Sequence, residues 1–183
     1  MISNLPDRDK SIQLLKKYID TENLQQHCLM VADAMEAYAI DLDKDQKEVE
    51  KWWTAGLLHD LDWEKYPDEH PNQAVNVILP PLGYPTDVIM AIKAHAPERT
   101  GKEPENEIER YLFACDELSG FMNAVSLMRP NGFSDMKVKS VTKKLKDKRF
   151  AANVPREDIH KGAKLIEKQL SDHILFLIGV FKK

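Results

Sequence analysis

The stretch Ala55-Gly56-Leu57-Leu58-His59-Asp60-Leu61-Asp62-Trp63 decides the fold of this 183-residue chain. It continues a run in which Val49, Trp52 and Trp53 recur at helical spacing, with Asp43 or Asp45 as the start of the helix. The apolar run leads directly into a histidine and an aspartate. Because buried ionisable groups are costly without partners, this order predicts a helix that delivers His59 and Asp60 to a polar site in the interior.

Helical periodicity extends in both directions from this stretch, and no strand pattern competes with it. The predicted helices cover about 9–19, 21–40, 43–60, 71–79, 86–95, 107–128 and 136–146, with two more after Val154-Pro155. Thr21 and Thr86 are predicted N-caps, and 99–106 is a predicted loop. The fold class is therefore all-α, predicted as a single domain over 1–183. Its motif core spans about 22–128, and a C-terminal helical extension of about 133–183 packs on it.

Bulk composition limits the class of protein. With 43% apolar and 31% charged residues the chain is typical of a globular protein, and its net charge of −4 gives no strong nucleic-acid signal. Cys28 and Cys115 lie in apolar runs, which indicates free, buried thiols in a reducing compartment. No apolar run is long enough to span a bilayer, and residues 1–7 show no leader, so we expect a cytoplasmic protein without membrane attachment.

Four histidines and two aspartates are placed where solvent-exposed residues are not expected. His27 falls in the apolar stripe of the second helix, His95 ends an apolar helix, and Asp116 is inside a long one. A divalent metal would satisfy all of them, since it binds neutral imidazole and carboxylate oxygen. Each residue alone has a plainer interpretation, a hydrogen-bonded core histidine or a capping or solvent-facing aspartate. The candidate set is His27, His59, Asp60, His70, His95 and Asp116.

The ordered pattern His27, His59-Asp60, Asp116 resembles the HD-domain phosphohydrolase superfamily, and in particular its small single-domain predicted hydrolases. The resemblance runs from about Leu24 to the C-terminus. It is carried by the segments 56–64, Glu69-His70-Pro71, Ile92 to His95, Asp116-Glu117-Leu118-Ser119-Gly120 and 139–151. At Ala96 the chain departs from the pattern, because many relatives have Asn or a second His there.

The resemblance implies a helical bundle with metal bound in its core. His27, His59, Asp60 and Asp116 would hold one ion, and His70 and His95 a second, with Asp60 bridging the two. Such a mixed nitrogen and oxygen set suits Fe, Mn, Co, Ni or Zn better than Mg, so we expect one or two divalent transition metals per chain. A metal-activated hydroxide would then attack phosphorus, which predicts a phosphomonoesterase or phosphodiesterase acting on a small phosphorylated substrate, with a nucleotide as one candidate.

Further residues are assigned provisional roles in this hydrolysis. The predicted catalytic residues are Asp60, Glu64 and Lys65, and the predicted substrate-binding residues are Lys143, Lys146 and Arg149. A solvated helix face is the alternative for the lysine-rich run, and Asp62, Glu64 or Glu117 could instead orient a ligand histidine. His160 and His173 are interpreted as structural, and Trp63 as a loop anchor rather than a base-stacking residue.

Two other functions remain open at this stage. The same ligand order occurs in di-iron oxygenases of the myo-inositol oxygenase type. Some HD relatives that have lost ligands are non-catalytic binding or signalling modules, but here all six positions are filled. The oligomeric state is left open.

Overall fold

A computed structural model describes residues 5–182, and within that range every regular element is helical. The predicted all-α fold class is thus confirmed. The α-helices are α1 (Arg8–Tyr18), α2 (Glu22–Asp41), α3 (Gln46–Leu58), α4 (Thr86–Ala94), α5 (Pro97–Thr100), α6 (Glu107–Leu127), α7 (Val138–Leu145), α8 (Arg156–Leu165) and α9 (Leu170–Phe181). A π-helical turn (Ala74–Ile78) and a 3-10 turn (Pro80–Leu82) connect α3 to α4.

Acidic and amide side chains set several helix starts. Asp45 caps α3 by accepting a hydrogen bond from the Glu48 amide at 2.9 Å. Asn106 begins α6 with a reciprocal capping box, in which the Glu109 carboxylate accepts from the Asn106 amide. Thr21 precedes α2, but its side chain makes no capping bond. Glu64 supplies the acceptor instead, since its Oε2 receives the Asp20 and Thr21 amides at 3.2 and 3.1 Å.

The packing of α3 on α2 depends on a glycine. A Cβ atom on Gly56 would lie 2.7 Å from the Ala32 Cα and 2.8 Å from the Val31 carbonyl oxygen. These are backbone atoms that cannot move aside. The absent side chain therefore lets the two helices approach closely, and it brings the end of α3, with His59 and Asp60, against α2.

The C-terminal helices pack on the motif core through α6 and α2. A Cβ on Gly162 would come within 2.7 Å of the Ala114 Cα, so α8 lies in close contact with α6. His173 of α9 is fully buried; its Nε2 donates to the Ala114 carbonyl at 3.0 Å and its Nδ1 accepts from the Tyr38 hydroxyl at 2.6 Å. This supports the structural interpretation of His173.

Some local expectations were wrong. The predicted 99–106 loop begins with the last two residues of the one-turn helix α5, whose first residue is Pro97. Thr86 is the first residue of α4 rather than its N-cap. The predicted helix over 71–79 contains a π-helical turn at Ala74–Ile78 instead of regular α-helix. Both cysteines are free and buried, as expected. The outermost residues of the predicted 1–183 domain, 1–4 and 183, lie outside the described residues.

No helix among residues 5–182 combines the length and the apolar character that crossing a membrane requires.

Candidate metal centre

The six candidate ligands come from separate elements and meet in the interior. α2 supplies His27, the turns after α3 supply His59 and Asp60, and the following loop supplies His70. His95 directly follows α4, and Asp116 lies in α6. The side chains form two groups of three, and within each group the ligand atoms lie within 4.8 Å of one another.

The first group consists of His27, His59 and Asp116. The His27 Nε2 lies 3.0 Å from Asp116 Oδ1 and 3.2 Å from His59 Nε2. His59 Nε2 lies 3.3 Å from the same Asp116 oxygen. Two imidazole nitrogens and one carboxylate oxygen thus face a common point.

The second group consists of Asp60, His70 and His95. The two histidine Nε2 atoms lie 3.2 Å apart, and Asp60 Oδ1 lies 3.4 Å from His70 Nε2 and 3.9 Å from His95 Nε2. His70 and His95 are both buried. The peptide bond between His70 and Pro71 is cis.

Asp60 connects the two groups through its two oxygens. While Oδ1 faces His70 and His95, Oδ2 lies 3.4 Å from His59 Nε2 and 3.8 Å from His27 Nε2. One carboxylate therefore has an oxygen at each group. This is the arrangement expected of a carboxylate that bridges two ions.

Hydrogen bonds at the far side of three imidazoles fix their orientation. The Nδ1 of His59 donates to the Gly56 carbonyl at 2.7 Å, and that of His95 donates to the Ile92 carbonyl at 2.5 Å. The Nδ1 of His70 lies 2.7 Å from Asp62 Oδ1, and the other Asp62 oxygen accepts the Ala74 amide at 2.7 Å. Since carbonyl and carboxylate oxygens only accept, each Nδ1 carries the proton in the neutral ring.

This tautomer provides a test of whether a metal fits. In the neutral His70 and His95 rings both Nε2 atoms carry lone pairs, yet they face each other at 3.2 Å. Likewise the His59 lone pair faces carboxylate oxygens of Asp60 and Asp116. Acceptors aimed at one another repel unless a proton or a metal ion lies between them. The donor set of four imidazoles and two carboxylates is one that divalent transition metals bind, and the residues therefore fit two such ions.

The pKa shifts of these residues also indicate that the site stabilises a positive charge. Burial acts to lower the pKa of His59, but the Asp60 and Asp116 carboxylates outweigh it and raise that pKa well above its ordinary value. Burial acts to raise the pKa of Asp116, but His59 and His27 hold it well below its usual range. Burial, together with the nearby His59, lowers the pKa of His95 to about 4. The carboxylates therefore remain ionised and His95 stays neutral, as metal ligands must.

A cavity of about 680 Å³ opens onto both groups. Its wall beyond the candidate ligands includes Trp63, Arg99, Glu117, Asn153, Asp158 and Lys161. Burial first, and then the Asp116 charge, raises the pKa of Glu117 to about 8. The cavity has room for a small substrate next to the two groups.

Several other predicted site residues do not line this cavity. Glu64 is fixed at the start of α2 by the Asp20 and Thr21 amides, and the Lys65 ammonium donates to the Lys17 carbonyl at 2.5 Å. Lys143, Lys146 and Arg149 are exposed on or just after α7. Glu64 lines a second cavity of about 530 Å³ together with His27 and Trp63.

Sequence reasoning also missed residues that the fold brings to the cavity. Arg99 stacks over the Trp63 ring, with its guanidinium 5.1 Å from the ring centroid, and it donates to the Pro67 and His70 carbonyls. Lys161 reaches the cavity from α8. No local signal identifies either residue, since both occur in charged segments that resemble a solvated surface.

Comparison with known proteins defines the class. The family model of the HD domain matches residues 24–120, the segment that contains all six candidate ligands. The chain therefore belongs to the HD-domain family, a superfamily of metal-dependent phosphohydrolases, as the sequence predicted. No curated protein matches the chain, and neither does any solved structure.

Proposed function

We propose that this protein hydrolyses phosphoester bonds in a small substrate, with two divalent transition metal ions held at Asp60. The proposal is carried by one observation, the division of the Asp60 oxygens between two ligand groups. His27, His59 and Asp116 would complete the first site, and His70 and His95 the second. When bound, the metals would polarise a phosphoryl oxygen and lower the pKa of water so that it attacks at neutral pH.

The chain contributes orientation and a partly enclosed pocket. Backbone carbonyls of Gly56 and Ile92, with the Asp62 carboxylate, hold three imidazoles with Nε2 toward the centre. Ligands held in this way need little rearrangement on binding, which favours both affinity and a fixed geometry.

Turnover of chromogenic phosphates tests the proposal. Protein freed of metal and reloaded with Mn, Co, Ni, Fe or Zn is assayed on p-nitrophenyl phosphate, bis(p-nitrophenyl) phosphate and nucleotide phosphates. We expect metal-dependent hydrolysis that Asp60→Ala abolishes and that Asp68→Asn, a substitution at an exposed carboxylate of the same loop, retains. If no metal supports turnover above that of Asp60→Ala, the hydrolase proposal fails.

The bridging position of Asp60 also supports a second candidate, oxidation by a di-iron pair. Four imidazoles and a shared carboxylate are ligands that iron accepts in oxygen-activating proteins. Oxygen consumption by the iron-loaded protein, together with a mixed-valence iron signal that changes with substrate, would favour this chemistry. Hydrolysis with redox-inert Zn would favour the first candidate.

A further inference from the structure

Helix α8 is not part of the matched HD segment, yet it forms a wall of the candidate cavity. Asp158 and Lys161 lie one helical turn apart on α8, and both line the cavity with the metal-ligand candidates. The preceding residues Asn153, Val154 and Pro155 line it as well. The C-terminal extension therefore contributes to the pocket in which the substrate is expected.

The position of α8 is fixed by two features. Gly162, next to Lys161, packs against the Ala114 backbone of α6, two residues before Asp116. At the start of α8, the Arg156 guanidinium donates to the Val154 carbonyl at 2.7 Å and also to the Phe150 and Ala151 carbonyls. The backbone from which Lys161 extends is thus held in place relative to the candidate metal ligand on α6.

The ammonium group of Lys161 is available to bind a substrate. Within residues 5–182, Arg99 and Lys161 are the cationic side chains that line the cavity. Arg99 already donates to two backbone carbonyls and stacks on Trp63. Lys161 pairs with Glu103 at 2.9 Å, and its ammonium lies 5.1 Å from the centroid of the Phe113 ring. Because 66% of the Glu103 side chain is exposed, the ion pair is solvated, weak and exchangeable.

We propose that Lys161 binds an anionic group on the part of the substrate that is remote from the reacting phosphate, and so selects phosphoesters whose organic part carries a carboxylate or a second phosphate. The inference rests on the proposed function in one respect, since the metals are taken to hold the reacting phosphate. The remaining wall favours this role for Lys161, because Glu98 and Asp158 are carboxylates that would repel an anion left without a cation. Glu103 acts as a competitor that the substrate anion displaces.

Matched ligands test this selection at equilibrium. Binding of the phosphonate analogues of glycerol 3-phosphate, 3-phosphoglycerate and propane-1,3-diol bisphosphate to Zn-loaded protein is measured by calorimetry, because their C–P bonds resist hydrolysis. The first two differ by a carboxylate in place of a hydroxymethyl group, and the third carries a second phosphonate. We expect the protein to prefer at least one of the latter two, and the stronger binder identifies which anion Lys161 accepts. Equal affinity for all three would overturn the proposal.

Variants then assign the preference to Lys161. Lys161→Met should reduce it about tenfold or more, because a charge-assisted hydrogen bond is lost, whereas Lys161→Arg should retain most of it. Glu103→Gln should strengthen binding of the preferred anion, since the competing carboxylate is removed. Lys164→Met, an exposed lysine of the same helix outside the cavity lining, is the matched control and should change nothing.

Two results distinguish failure of this inference from failure of the proposed function. If the preference depends on Lys161 but no metal supports hydrolysis, the Lys161 assignment stands and the hydrolase proposal fails. If phosphoesters are hydrolysed while Lys161→Met and Glu103→Gln bind the three ligands as the wild type does, the Lys161 assignment fails. The metal content of each variant is measured alongside and identifies any variant that has lost the metal centre. If Lys161→Met is such a variant, Glu103→Gln tests the Lys161 assignment in a protein whose fold is intact.

Discussion

Asp62 Oδ1 lies 2.7 Å from the Nδ1 of His70, and neither side chain is more than slightly exposed. The carboxylate is held in turn by the Ala74 amide. Asp62 thus orients a candidate ligand of the second group without belonging to either group, and it makes the Nε2 of His70 the atom available to an ion.

Substitution of Asp62 should therefore weaken the second metal site selectively. Asp62→Asn removes the charge that orients His70, and we expect metal affinity at that site to fall about 10–100-fold. Metal content after dialysis at graded free-metal concentrations measures this, with a fall from two ions toward one per chain. Asp68→Asn, at an exposed carboxylate of the same loop, is the control. Retention of both ions at wild-type affinity in Asp62→Asn would exclude the orienting role.

A single methyl group added between α3 and α2 should lower the stability of the protein. Gly56→Ala places a Cβ within 2.8 Å of three backbone atoms of Val31 and Ala32, and we expect it to lower the free energy of unfolding by about 1–3 kcal/mol or more. Gly179→Ala is the counterpart, because a Cβ there meets nothing within 4 Å and alanine favours helix. Denaturant unfolding should show a lower free energy of unfolding for Gly56→Ala and a higher one for Gly179→Ala than for the wild type. An unchanged stability of Gly56→Ala would contradict the close approach.

Stability should depend on pH through His173. Burial lowers the pKa of His173 to about 4, against an ordinary value of 6.5, so the folded protein holds the neutral ring. Between pH 4 and pH 6.5 the unfolded chain binds more protons at this residue than the folded chain does. The stabilisation from the neutral ring is therefore complete above pH 6.5 and is lost as the pH falls toward 4. The contribution from about pH 7 to about pH 5 is roughly 2 kcal/mol.

Urea unfolding of wild type and His173→Gln at these two pH values isolates that contribution. The variant should be the less stable protein near neutrality, since it alters the bonds to Tyr38 and Ala114, but it should lose less stability on acidification. Equal losses in the two proteins would show that His173 does not titrate as described.

The lysine-rich segment provides a test of the sequence-based substrate-binding prediction. Because Lys143 and Lys146 are exposed and do not line the cavity, the double substitution to Met should leave the KM for a chromogenic phosphate unchanged. A rise in KM with unchanged kcat would support the prediction that this segment forms a phosphate-binding rim.

The sequence predicts the candidate metal ligands better than it predicts the positions of the residues around them. His27 and Asp116 lie in helices, and the His59–Asp60 pair directly follows the apolar helix α3. These patterns are local, and the order of the four residues carries the family resemblance, so their convergence could be anticipated. Glu64 and Lys65 could not be placed in the same way. Their partners Thr21 and Lys17 are more than 40 residues distant, and such contacts leave no periodic signal.

The cavity wall shows the same limit. Lys161 reaches the pocket because Gly162 lets α8 pack against Ala114, and nothing in the charged 156–165 segment indicates that crossing. The lysines of 137–149 are more conspicuous in the sequence, yet α7 leaves them on the surface. Charge patterns identify candidate anion-binding residues, but helix packing determines which of them face the cavity.

Anomalous diffraction at the metal edge, from crystals of protein purified without chelator, shows whether two metal ions share Asp60. We expect two peaks, one at Asp60 Oδ2 with His27, His59 and Asp116, and one at Asp60 Oδ1 with His70 and His95. A single peak, or peaks that do not contact Asp60, would contradict it.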